Sequence, residues 1–422
     1  SIVDRMYLGR LSETDSLALS GIGLVLPVIS ILMSVASLCG TGGSPLFSIA
    51  RGRGDDEEAG RVLGNSFALL MIFGVILTAA VIAFKARLLY LFGASDATYP
   101  YAADYLKIYT LGTVFVMISL GMNPFINAQG AARRGMMTVA LGAAVNLALD
   151  PIFIFVLHMG VAGAALATII AQFCSAIWVL LYLCLGKAPI RLRLTNMRLG
   201  AARVGRILTL GLAGFCMNLT TSLIQIVCNT TLRRWGGDLY VGVMTVINAV
   251  REIVFMPVSG IASGVTPVLG YNYGAGKTER VRRAIRFSSG VTVAYMVAIW
   301  AVIMLAPQLL IRIFTPNPAL AAAGARSIRL YFMLAMFMSL QMTSQQVFVA
   351  LGKSRQAIFF SLLRKAFLAA PLTVILPGLW GLGTDGVFLA DAVSQVIGGL
   401  ACGGTMYLTL YRKLGTESGP QT

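Results

Sequence analysis

Pro45-Leu-Phe-Ser-Ile-Ala-Arg-Gly52-Arg-Gly54 is answered by Pro267-Val-Leu-Gly-Tyr-Asn-Tyr-Gly274-Ala-Gly276, 222 residues farther along the chain. The same offset sets Glu57 against Glu279 and Arg61 against Arg283. It also sets Ala128-Gln-Gly130 and Arg133 against Ala350-Leu-Gly352 and Arg355. Gly160-Val-Ala-Gly163 and Gln172 match Gly383-Thr-Asp-Gly386 and Gln395 at an offset of 223. The chain is a tandem duplication of half its length.

The repeated material is strongly apolar: 57% of residues are hydrophobic and only 12% charged. Soluble domains carry roughly 25% charged residues. Apolar runs of about 20 residues recur throughout, each long enough to cross a ~30 Å hydrocarbon core. Eleven complete spans are expected, at 17–40, 60–84, 102–127, 134–157, 161–185, 204–232, 239–269, 287–308, 328–350, 354–378 and 384–411, with a partial span at 1–10. By comparison with the second copy, the first helix is expected to lack its beginning, some 20–30 residues. The expected fold is therefore an all-α polytopic membrane protein: 12 transmembrane helices in two six-helix lobes, the first helix truncated. Six crossings per half return the chain to its starting side, so the repeat is parallel, a pseudo-twofold about the membrane normal. The longest basic connection, 187–203, is the expected interlobe linker between lobes at 1–186 and 204–422.

The net charge of +17 is accounted for by topology rather than by nucleic acid. If the loop after residue 50 is cytoplasmic, its side collects Arg51, Arg53, Arg61, Arg133, Arg134, the 187–206 cluster, Lys277 to Arg286, Lys353, Arg355, Arg412 and Lys413. The other side has far fewer basic residues. The positive-inside rule then places the C-terminus in the cytoplasm of a bacterial-type cell membrane. The six cysteines lie singly in apolar spans, and the lone His158 sits at a turn. They read as buried thiols, with no metal spacing. No nucleophile–base pair is present, so enzyme chemistry is not expected.

Ionisable groups at membrane depth are costly and functional by default. Asp104 with Lys107, and Glu252 with Arg251, read as local neutralised pairs. Asp391 lies about one turn into the last span, where the first copy has Thr168. Asp150 differs. It stands mid-span in Asn146-Leu-Ala-Leu-Asp150-Pro151. Asn146 and Asp150 share one helix face. Pro151 removes an amide hydrogen and leaves the carbonyl of Leu147 without its donor. The chain turns back at about Met159, with Asp150 nine residues before it and Thr168 nine after it. Equal rise puts the Thr168 hydroxyl level with Asp150, and Asp4 falls roughly 10–13 Å below the outer surface. These hard oxygens suit Na⁺ or a proton; the alternative is a structural hydrogen-bond network. The second copy reads Leu-Ala-Ala-Pro-Leu around 368–372 instead.

Ile2-Val-Asp4-Arg-Met-Tyr-Leu-Gly9-Arg-Leu resembles the first-helix motif of the multidrug and toxic compound extrusion (MATE) family. Ala128-Gln-Gly-Ala-Ala-Arg133 and Asn146-Leu-Ala-Leu-Asp150-Pro are similar to its fourth- and fifth-helix motifs. Gly270-Tyr-Asn-Tyr-Gly-Ala275 and Ala350-Leu-Gly-Lys353 are similar to motifs of its second lobe. The resemblance implies alternating access and export of lipophilic, often cationic compounds, driven by Na⁺ or H⁺. It implies a cation site, a metal site if the ion is Na⁺, at Asp4, Asn146, Asp150 and Thr168. Other branches use an acid in the seventh helix, and Gly211 to Arg233 has none.

For substrate, Met117, Met122 and Asn123 in the first lobe and Met244, Asn248, Gln341, Met342 and Gln345 in the second are the candidates. Polarisable methionines suit promiscuous binding, and Asn123 and Gln345 occupy equivalent places in the repeat. The expected protein is a monomeric antiporter working on small organic molecules in the lipid bilayer, with H⁺ or Na⁺ as coupling ion, no cofactor and no nucleic-acid partner. The alternative is a flippase for lipids or lipid-linked oligosaccharides. Such a protein favours a basic cavity, for which only Arg364 and Lys365 offer a fit.

Overall fold

The computed structural model describes residues 15–92, 94–96, 98–186, 188–314, 318–379 and 381–416. It is helical throughout. Eight helices among the described residues are long and apolar enough to cross a membrane, and a bent pair makes a ninth span. The chain divides into two compact units, Ser1–Ala50 with Asp55–Gly211 and Arg51–Gly54 with Leu212–Thr422.

The first unit runs through Asp15–Gly52, Asp56–Leu91, Tyr99–Leu111, Thr113–Ala128, Ala132–Pro151 and Gly160–Leu180. Asp55 caps the second of these, accepting a 2.8 Å hydrogen bond from Glu58 N, and Asp56, Glu57 and Glu58 fill its first turn. Acidic groups there complement the helix dipole. Behind them the helix is apolar on all sides. Its outward face shows Val75, Ile76 and Phe84, each more than half exposed, as only a lipid-facing helix can. Inside, Phe47 meets the edge of Phe125 at 5.6 Å within a core that includes Leu63, Leu70, Leu106 and Tyr109.

The second unit holds the long helical stretch Ala201–Gly274, broken at Gly237 (φ 66°), which begins within the first unit. Thr278–Leu305, Pro307–Phe314, Pro318–Phe332, Ala335–Ala350, Ser354–Leu362, Ala370–Ile375 and Thr384–Met406 follow. Its separate core gathers Leu232, Ile247, Val258, Met296, Phe332 and Phe388.

The duplication is written in the backbone. Gly54 (φ 78°), Gly130 (82°) and Gly160 (54°) turn through left-handed conformations, and their partners Gly276 (68°), Gly352 (75°) and Gly383 (52°) do the same. A side chain is disfavoured at each such turn. Two spans expected to be straight are broken at corresponding points. The run 102–127 bends by 56° at Gly112, and the run 328–350 breaks at Met333 and Leu334. A Cβ on Gly112 would lie 2.6 Å from Ile169, so glycine is needed there for packing, whereas Leu334 serves at the matching break. Wide π turns end the helices that start at Ala132, Gly160 and Thr384, at Ile152–Val156, Leu181–Leu185 and Tyr407–Tyr411, and a fourth, Leu363–Ala369, interrupts the span Ser354–Gly378.

Residues 188–203, within the stretch expected as a linker, belong to the first unit and are fastened to it. Asn65 Nδ2 donates to the carbonyls of Asn196 (3.1 Å) and Arg198 (3.0 Å), and Asn65 Oδ1 accepts from Gly200 N at 3.0 Å. Glu58 pairs with Arg203 (2.7 Å) and Arg206 (3.0 Å).

Several local pairings differ from expectation. Asp104 and Lys107 are both exposed and form no ion pair, since hydration outcompetes a surface contact. Arg251 turns to Tyr331 rather than to Glu252, because adjacent helical residues point about 100° apart. The repeat is not kept at the level of ion pairs: Glu57 pairs with Arg61 four residues on, Glu279 with Arg282 three residues on. Asp391 lies about two turns into its helix, not one. Cys39, Cys228 and Cys402 are buried, but Cys174, Cys184 and Cys216 are half-buried.

Candidate functional site

Three of the four predicted ion-site residues meet in the first unit; Asp4 lies outside the described residues. Asp150 is fully buried on the helix Ala132–Pro151. Asn146, one turn earlier, donates from Nδ2 to Asp150 Oδ1 at 3.0 Å. The same amide reaches Thr168 Oγ1, on the facing helix Gly160–Leu180, at 3.5 Å. Thr168 donates its own hydrogen to the carbonyl of Ala164 at 3.0 Å, so its oxygen is left as an acceptor.

Two local devices bring these groups together. Pro151 cannot donate to the preceding turn, and the chain relaxes into the π turn Ile152–Val156. Leu157 N then bonds to Ile152 O at 2.9 Å, and Met159 N to Phe153 O at 3.0 Å. The returning helix comes in closely because residue 163 is glycine: a Cβ there would stand 2.7 Å from the carbonyl oxygen of Phe153. Carboxylate, amide oxygen and hydroxyl oxygen are the donors that a hard cation or a proton uses. No group of three or more His, Cys, Asp and Glu side chains suited to a metal exists among the described residues.

The substrate candidates are scattered by the packing. Met117 and Met122 are fully buried in the first unit's core and present no surface. Asn123 sits beside the close approach of Gly135, its Oδ1 buried without a hydrogen bond. In the second unit Met244 is buried and Met342 packs against the same core. Gln341 and Gln345 are buried too, donating to the carbonyls of Phe360 (3.4 Å) and Ala357 (3.3 Å). Asn248 has both side-chain polar atoms buried and unpartnered.

A second polar cluster went unpredicted as a unit. Arg251 Nη1 donates to Tyr331 Oη at 3.3 Å. Arg364 Nη1 stands 3.6 Å from Asp391 Oδ1, and Gln395 Nε2 donates to Asp391 Oδ2 at 2.8 Å. Lys365 Nζ donates to the carbonyl of Met217 at 2.8 Å and to Thr221. The sequence shows its members only singly: Arg364-Lys365 inside an apolar run, Arg251 beside Glu252, and Asp391 in the last span.

A family model for MatE matches residues 1–152 and 214–375 of the chain. Multidrug export protein MepA of Staphylococcus haemolyticus (strain JCSC1435) is 25% identical over 399 residues, covering 94% of this chain and 86% of that protein. Multidrug export protein MepA of Staphylococcus aureus (strain N315) is 25% identical over 412 residues, covering 96% and 89%. A crystal structure of MATE in the bent conformation superposes with a TM-score of 0.93 at 22% identity, over 99% of this chain and 92% of that one. That last likeness is one of fold.

Proposed function

Because this chain belongs to the MatE family, we propose that it is a secondary active antiporter that exports lipophilic organic compounds, cationic ones among them, in exchange for H⁺ or Na⁺. The observation that carries the coupling half of this reading is the fully buried Asp150, held by Asn146 beside the Thr168 hydroxyl. The export half is supported by full-length similarity to proteins named for multidrug export.

A carboxylate at membrane depth is costly as a bare anion. A proton or a Na⁺ arriving at Asp150 removes that cost, so occupancy favours whichever conformation buries the group. Asn146 aims the carboxylate, and Thr168 offers a further oxygen. Asp4 is proposed as the second carboxylate of the site. Two carboxylates at one depth repel each other, which favours holding a proton between them. Ion entry from outside would then repack the first unit, lower affinity for the cargo and release it outward. Asn123, Asn248, Gln341 and Gln345, with Met117, Met122, Met244 and Met342, are the proposed contacts for cargo. The buried ones among them would have to surface as the conformation alternates.

The test is efflux of ethidium from proteoliposomes under a separately imposed ΔpH or Na⁺ gradient. Asp150→Asn should abolish coupled efflux while the protein still inserts and elutes as a monodisperse species. Undiminished gradient-driven efflux in that variant sinks the coupling assignment.

A further inference from the structure

The second unit holds more buried positive charge than its one neighbouring carboxylate can neutralise. Arg364 is 6% exposed. Its stem lies over Gly398, where a Cβ would come within 2.7 Å of Arg364 Cγ. Its Nη1 faces Asp391 at 3.6 Å yet makes no hydrogen bond. Asp391 is already engaged by Gln395, whose own Oε1 is buried without a donor. Lys365, next to Arg364 in sequence, gives hydrogen bonds to neutral oxygens, the Met217 carbonyl and the Thr221 hydroxyl. Arg251 spends one donor on Tyr331, a neutral phenol. Glu252 is exposed and does not help. Of the three cations only Arg364 has a carboxylate, Asp391, at ion-pair distance among the described residues; the hydrogen bonds of Arg251 and Lys365 go to neutral oxygens.

Such a surplus is expensive in a low-dielectric interior. Structural ion pairs balance; this cluster does not. An unbonded guanidinium donor is suited to carboxylate, phosphate and sulfonate oxygens. The Asp391 side chain keeps 13% of its surface exposed, and Arg251 and Lys365 also keep part of theirs, so the cluster is largely buried but retains some accessible surface. The first unit has nothing comparable: Ile29, Gly142, Ala143 and Thr168 stand at the matching positions.

We propose that Arg251, Arg364 and Lys365 form a subsite for an anionic group, a carboxylate, phosphate or sulfonate borne by an amphiphilic molecule. Resting on the exporter reading, this extends the cargo from cations to organic anions and zwitterions. Asp391 holds Arg364 in place and limits the field, so that the anion binds reversibly.

The test is equilibrium binding of 5-carboxyfluorescein, read by anisotropy, to the whole protein in phosphatidylcholine nanodiscs without any gradient. The wild type should bind saturably. Lys365→Gln should weaken binding about tenfold, and Asp391→Asn should tighten it by a similar factor. Opposite signs cannot arise from misfolding. No saturable binding by the wild type, or shifts of equal sign or none, overturns the subsite. Displacement by phosphatidylglycerol in the disc assigns the anion to a lipid headgroup. Displacement by inorganic phosphate alone assigns it to a free anion, and displacement by neither to an organic solute. Loss of ethidium efflux with the sign pattern intact would overturn the exporter reading alone. Efflux without the sign pattern would overturn the subsite alone.

Discussion

Gly398→Ala tests the packing on which the second unit's charge cluster depends. The new Cβ would stand 2.7 Å from Arg364 Cγ and 2.9 Å from its Cβ and Cδ. These are the root atoms of the side chain, not its mobile end, so the stem must move as a whole. Overpacking of this kind costs about 1–3 kcal/mol. At roughly 2–4 °C per kcal/mol for a unit of 150–250 residues, the melting temperature should fall by several degrees. The assay is thermal unfolding in detergent at a fixed scan rate, since membrane proteins seldom unfold reversibly. The first unit supplies the control design. At the matching places it has Gly142 and Ser175, where the small residue and the larger one are exchanged between helices and a Cβ on Gly142 would meet Ser175 Oγ at 2.5 Å. In an Arg364→Gly background the alanine at 398 meets none of the three stem atoms. Its cost should vanish, leaving an interaction term of at least about 1 kcal/mol between the two sites. Equal melting shifts for Gly398→Ala in both backgrounds would refute the argument that glycine is there to admit the arginine.

Thr168→Val keeps the shape but removes the oxygen beside Asn146; coupled ethidium efflux should fall about tenfold, and Thr168→Ser should stay within about twofold. Equal efflux by the valine variant would remove Thr168 from the site. Asn65→Ala strips the anchor from residues 196–200, at a cost of about 1–3 kcal/mol, and trypsin should then cut faster at Arg193 and Arg198; an unchanged cleavage rate contradicts the anchoring role. Gly130→Ala and Gly352→Ala each force a side chain into a left-handed turn at about 1–2 kcal/mol. Their melting shifts should agree, and a shift confined to one would break the equivalence of the two turns.

The duplication and the helical spans were legible because both leave marks at fixed spacing: paired glycines at turns and apolar runs of membrane length. Asn146, Asp150 and Thr168 were legible because they sit on two consecutive antiparallel helices, where counting from the turn gives depth. The Arg251–Tyr331–Arg364–Asp391 cluster was not, since it assembles side chains from four separate helices and no count links them. The local rule that pairs neighbours in sequence misled at Asp104 and at Arg251, where exposure and a distant tyrosine decided otherwise. Burial of Met117 and Met122 was equally hidden, as hydropathy does not tell a core face from a cavity face. The bends at Gly112 and Leu334 carry no shared residue, so only packing reveals them.

Three of the π turns close helices, and the fourth, Leu363–Ala369, lies inside the span Ser354–Gly378. A π turn holds more residues than an α turn, and one residue corresponds to about 100° of rotation about the helix axis. Tightening Ile152–Val156 into α geometry would therefore swivel Asp150 relative to everything beyond the turn without breaking the chain. The same holds for Leu363–Ala369 and the guanidinium of Arg364. Each copy thus contains its own swivel beside its most polar residues.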